Sequence, residues 1–185
     1  GTELESCETW PCDNLPCGLN RRLMKTLIVL RHGKAEHHAA GQTDFQRALA
    51  ERGLLDSERV GQLLAEKNLV PDAIVSSSAK RARMTADQVA TASGFSNAVV
   101  YTEAIYEAGI SQLLSVVQGM DEAAKVALIV GHNPGFWGLV EMLSGSVAQF
   151  PTCAWAQLEI DVEHWGEVTQ SSRAELVTLW YPKLE

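Results

Sequence analysis

The chain has 185 residues, 46% of them hydrophobic and 21% charged, and a net charge of −8 at pH 7. This is the composition of a globular domain with a proper core, and it excludes disorder, collagen-like sequence and coiled coil. No apolar run approaches the roughly 18 residues of a membrane helix, and the acidic excess argues against nucleic acid or an anionic membrane as partner.

Residues 1–23 show neither helical nor strand periodicity and contain Pro11, Pro16 and Gly18. They are expected to form a flexible N-terminal extension, with the folded domain spanning 24–185. They do not read as a signal peptide, because Arg21-Arg22 precede only the short block Leu27 to Leu30, which Arg31-His32 ends. Cys7, Cys12 and Cys17 are spaced C-x4-C-x4-C, which matches no standard zinc pair, so they are expected to be incidental thiols. Cys153 is the single cysteine of the domain, expected in buried packing, which suits a reducing cytoplasm.

Lys25 to Leu30 is a short apolar run and predicts a buried strand. Val60, Leu63 and Leu64 mark one face of a helix over 52–69. Asp72 to Ser76 predicts the second strand. Ala79 to Ser93 predicts a helix with Ala82, Ala86, Val89 and Ala90 on one face and Gly94 as its stop. Ala98 to Tyr101 predicts the third strand. Ile110, Leu113, Leu114 and Val117 follow helical spacing, and Gly119 ends that helix. Val126 to Val130 predicts the fourth strand. Pro134 is placed at the first position of a helix whose apolar face is Phe136, Leu139, Val140 and Leu143. Ala154 to Asp161 and Ala174 to Tyr181 predict two last strands, joined around His164. This order predicts a single three-layer α/β domain. Its sheet should be mostly parallel, with helices on both faces and a C-terminal β-hairpin that brings in an antiparallel strand.

In an open α/β sheet, ligands bind beyond the carboxyl ends of the strands. The first strand is followed by Arg31, His32 and Gly33, and the second by Ser76 to Ser78, Lys80, Arg81 and Arg83. Glu103, Tyr106 and Glu107 follow the third, and Gly131, His132, Asn133 and Pro134 the fourth. Two histidines and several guanidinium groups thus converge on one edge. Arginine matches phosphate oxygens with a planar fork. His132 precedes a helix start, where free N–H groups favour negative charge. Neutral imidazole is a nucleophile toward phosphorus, and adjacent arginines disfavour its protonation. The pattern therefore predicts an oxyanion site. No strand is followed by a glycine-rich nucleotide loop.

Leu30-Arg31-His32-Gly33, the segment Ser77 to Ala86 and Val130 to Gly135 resemble, in order, the three signature segments of the histidine phosphatase (phosphoglycerate mutase-like) superfamily. Asp44 to Gly53 and Pro151-Thr152 are similar to its SixA-like branch, the protein phosphohistidine phosphatases. The resemblance covers essentially all of 24–185. It implies a metal-independent phosphatase with no cofactor. His32 would be the nucleophile that carries a phosphohistidine intermediate, and Arg31, Arg81 and His132 would bind the phosphoryl oxygens. Glu107, with Glu103 as the other candidate, would be the general acid, although a P–N bond can break without a strong acid because imidazole leaves phosphorus far more easily than alkoxide.

The residues between Tyr101 and Ser111 and between Gly145 and Pro151 are few, which predicts an open site able to admit a side chain on another protein. The partner expected is a phosphohistidine protein in cytoplasmic signalling, with the enzyme a monomer rather than an oligomer. A small-molecule phosphomonoesterase and a non-catalytic phospho-binding module are the alternatives. Lys80 and Arg83 are expected at the rim, His37 and His38 exposed, and Arg47 paired with Asp44 or Glu51.

Overall fold

The computed structural model of the protein describes residues 24–183, so the expected extension and Cys7, Cys12 and Cys17 lie outside the described residues. The strands are β1 (Lys25–Arg31), β2 (Ala73–Ser77), β3 (Val100–Thr102), β4 (Val126–Gly131), β5 (Trp155–Ile160) and β6 (Ala174–Trp180). The helices are α1 (Glu51–Glu66), α2 (Lys80–Ser93), α3 (Ile110–Gln118) and α4 (Gly135–Ser144). The sheet order is β3-β2-β4-β1-β5-β6. The first four of these strands are parallel, β5 runs antiparallel to β1, and β6 antiparallel to β5.

β1 is apolar throughout because both its faces are covered. Leu27 and Val29 pack with α3 and α4, whereas Ile28 and Leu30 pack with α1 and α2. The result is the three-layer α/β domain that the sequence predicts, with the C-terminal hairpin supplying the antiparallel strands.

Most element boundaries fall within a few residues of expectation, and some of the shifts have a visible cause. α1 stops at Glu66 because Asn68, with φ of 55°, takes the left-handed conformation that ends helices. β3 begins at Val100 rather than Ala98. Pro134 caps α4 one residue before its start instead of occupying the first helical position, although its dihedrals (φ −82°, ψ −11°) are already helical. Gly94 ends α2 with φ of 78°, as expected of a left-handed stop.

Two glycines set how the loop after β1 seats on α1. A Cβ on Gly33 would lie 2.9 Å from the Gly53 carbonyl oxygen, and a Cβ on Gly53 would collide with the carbonyl oxygen of Lys34. The two backbones touch only because neither residue has a side chain. Gly53→Ala is therefore expected to cost about 1–3 kcal/mol, read as a lower urea midpoint with an unchanged slope.

Candidate active site

Parallel pairing of β1 with β4 places Arg31 beside Gly131, so His32 and His132, each the next residue, leave the sheet side by side. Their ring centroids are 5.1 Å apart. His32 and His132 are 7% and 9% exposed and Arg81, from the first turn of α2, is 5% exposed. The segments that follow β1, β2 and β4 therefore meet at one point.

The protonation of His32 follows from its contacts. Its Nδ1 lies 2.7 Å from the Gly33 carbonyl oxygen. A carbonyl can only accept, so Nδ1 carries the proton and Nε2 keeps its lone pair. Arg81 Nε–H donates to that Nε2 at 3.4 Å. Burial, followed by the charges of His132, Arg81 and Arg31, pushes the His32 pKa down to about 3, against the opposing pull of the Gly33 hydrogen bond. Burial and Arg81, with Arg31, likewise lower His132 to about 4, with Asp44 opposing. Both rings are therefore neutral at neutral pH.

His132 Nε2 lies 2.8 Å from Ser77 Oγ, which also accepts from the Ala79 N–H. Among the described residues, His132 Nδ1 is buried without a partner, as is Arg31 Nε. Arg31 Nη1 donates to the Phe150 carbonyl oxygen, which Asn133 Nδ2 shares. Thr85 Oγ accepts from the Gly33 N–H and donates to the Arg81 carbonyl oxygen, tying the loop after β1 to α2.

Two adjoining lobes meet at Arg81, His132 and Asn133. The first, of about 360 Å³, is bordered by Arg31, His32, Lys34 and Arg47. The second, of about 490 Å³, is bordered by Asp44, Tyr106 and Glu107. Glu103 is exposed and lines neither lobe, so of the two candidate acids only Glu107 reaches the site. Lys80 and Arg83 line a separate open cleft, with Arg83 4.4 Å from the Tyr101 ring, which fits their expected rim position. His37 and His38 are exposed, and Arg47 pairs with Asp44 at 3.0 Å. Cys153 is buried, and its N–H donates to the His32 carbonyl oxygen.

The expectation of free N–H groups at the start of α4 is corrected for two of them. The Phe136 N–H donates to the His132 carbonyl oxygen and the Trp137 N–H to Asn133 Oδ1.

Asp44 is the site residue for which the sequence suggested only a pairing role. It sits in a 3₁₀ turn at Asp44–Gln46. Its carboxylate accepts from Arg81 Nη2 at 3.0 Å and from the Tyr106 hydroxyl at 2.9 Å, and its carbonyl oxygen accepts from Arg81 Nη1 at 2.8 Å. Burial pulls the carboxyl upward, but Tyr106 and Arg81 outweigh it and hold Asp44 below its ordinary value. The Tyr106 ring meets the His132 ring edge-on at 5.4 Å. The spacing Asp44-x-x-Arg47 was visible in the sequence; the reach of Asp44 to Arg81 across 37 residues was not.

Among the described residues, no group of three or more His, Cys, Asp and Glu side chains is placed to hold a metal ion, and no helix is long and apolar enough to cross a membrane.

Residues 27–127 match the family model of the histidine phosphatase superfamily, branch 1. An uncharacterized chloroplastic protein of Arabidopsis thaliana is 28% identical over 174 residues, covering 88% of this chain and 80% of its own. A crystal structure assigned as phosphohistidine phosphatase SixA from Agrobacterium tumefaciens superposes with a TM-score of 0.74 at 28% identity, covering 85% of this chain and 98% of that one. One with the same assignment from Nakamurella multipartitia gives 0.73 at 26% identity, covering 86% and 96%.

A lowered pKa means that protons add to the two site histidines only in acid. Their ring carbon and proton shifts are expected to stay at neutral-imidazole values from about pH 8 down to about pH 5, the range in which an ordinary histidine titrates. Heteronuclear NMR with assignments made through His32→Gln and His132→Gln tests this.

Proposed function

The chain belongs to the histidine phosphatase superfamily, and on that premise we propose that it is a phosphohistidine phosphatase working through a covalent phosphohistidine on His32. The observation that carries the reading is the hydrogen bond from His32 Nδ1–H to the Gly33 carbonyl oxygen. It leaves Nε2 as a neutral nucleophile at the meeting point of Arg31, Arg81 and His132.

The steps follow from these positions. The phosphoryl group enters the cationic lobe, where Arg31 and Arg81 take its oxygens. The unpartnered His132 Nδ1 adds a donor if Ser77 O–H donates to Nε2, because the ring proton then resides on Nδ1. The Nε2 lone pair attacks phosphorus, and the bond to the leaving group breaks as the new P–N bond forms. Fixed guanidinium groups stabilise the charge on the equatorial oxygens without a metal. Throughout, Gly33 keeps the proton on Nδ1, so phosphorylated His32 is cationic in its ring and departs as neutral imidazole when water attacks.

Similarity to chains assigned as phosphohistidine phosphatases and lobes that open to solvent support a protein substrate in signalling. Ester hydrolysis is the second reading, favoured by Glu107, which lines the second lobe. There Glu107 would have to donate a proton to an alkoxide.

Labelled phosphohistidine protein, mixed with the enzyme and quenched in base, is expected to leave label on His32. His32→Ala should carry none. Turnover without label on any histidine would sink the nucleophile assignment. Arg81→Ala is expected to lower kcat by about 10²–10³, the usual loss for one oxyanion donor, in steady-state assays on the same substrate.

A further inference from the structure

The two lobes of the site have opposite polarity. The first is bordered by Arg31, Lys34 and Arg47 and by no carboxylate. The second is bordered by the carboxylates of Asp44 and Glu107 and by the Tyr106 hydroxyl. The one cation they share, Arg81, has its Nη groups turned to Asp44 and its Nε turned to His32. Its charge toward the second lobe is therefore already met by a carboxylate.

We propose that the lobe of Asp44, Tyr106 and Glu107 is the leaving-group subsite, and that it selects a positively charged leaving group, the protonated imidazole of a phosphohistidine, over an anionic one. This rests on the reading of the chain as a phosphatase with His32 as nucleophile, and it deepens that reading.

Three observations converge on it. First, Glu107 makes no hydrogen bond or ion pair among the described residues, so its carboxylate is available to a ligand. Second, Glu107 holds a φ of 53°, a conformation unfavourable for a residue with a side chain, and such outliers persist where a site needs them. Third, one of the residues shared by the lobes is His132, nine-tenths buried, with Nδ1 unpartnered among the described residues. His132 lines both lobes, so a phosphoryl group held against it in the first lobe has the lobe of Asp44, Tyr106 and Glu107 beside it. The Tyr106 ring adds an aromatic surface, which favours a flat cation.

The chemistry balances without an acid. A phosphohistidine protonated on its second ring nitrogen carries one positive charge on the ring. His32 Nε2 forms its bond to phosphorus, and the P–N bond to the substrate breaks with its electron pair going to the departing nitrogen. The substrate ring becomes neutral imidazole and keeps its N–H; the His32 ring becomes cationic and keeps its own N–H on Gly33. No proton moves. The carboxylates favour the charged ring on entry and stop favouring it on departure, which helps product release. An anionic leaving group such as glycerate meets repulsion instead.

The 185-residue wild-type chain, Glu107→Gln and Asp44→Asn are compared by kcat/KM on free phosphohistidine and on 3-phosphoglycerate. Glu107→Gln breaks no hydrogen bond of the structure and so tests charge alone. Each variant is expected to lower the phosphohistidine to 3-phosphoglycerate ratio by about fivefold, the scale of one partly exposed charge interaction. Equal effects on both substrates in Glu107→Gln, with phosphohistidine still cleaved by wild type, would overturn the subsite and leave the phosphohistidine reading standing. Wild type that cleaves 3-phosphoglycerate but not phosphohistidine overturns both.

Discussion

Everything in the site depends on the pairing of β1 with β4. The two strands run parallel and in register, so Arg31 lies beside Gly131 and the next residue of each is a histidine. A shift of one residue would turn one ring to the opposite face of the sheet. The register is held by alternation within β1 itself, where Leu27 and Val29 fill one core and Ile28 and Leu30 the other. The same packing that stabilises the fold thus sets the separation of the two rings.

Around that point the molecule places charge locally. The chain is acidic as a whole, yet Arg31, Lys34, Arg47 and Arg81 gather at one cleft. Burying two imidazoles between guanidinium groups makes protonation costly, and this keeps both rings neutral at neutral pH. Asp44 lies between these cations, accepting from Arg81 and Arg47 and fixing the direction in which Arg81 presents its remaining donors. The cationic lobe and its acidic neighbour are consequences of the same clamp.

Much of this was legible in the chain. Apolar runs and helical spacing gave the order of strands and helices, because those periods are local. Arg31, His32, Arg81 and His132 were legible because each follows a strand, and parallel strands bring such ends together. Glu107 and Glu103 could not be separated that way, since both follow β3 within a few residues; the 3₁₀ turn at Glu103–Ile105 and the left-handed backbone at Glu107 separate them. The start of α4 misled for a related reason: Asn133 supplies a side-chain acceptor to the helix that position alone does not reveal.

By itself, then, the sequence determined the layer order and the residues at the strand ends, which follow from short-range pattern. Tertiary structure alone decided that Asp44 clamps Arg81, that Ser77 holds His132, and that the cleft divides into a cationic and an anionic lobe. Those contacts join residues 37 and 55 positions apart, and side chains that far apart in sequence are brought within bonding distance by packing, not by any local period.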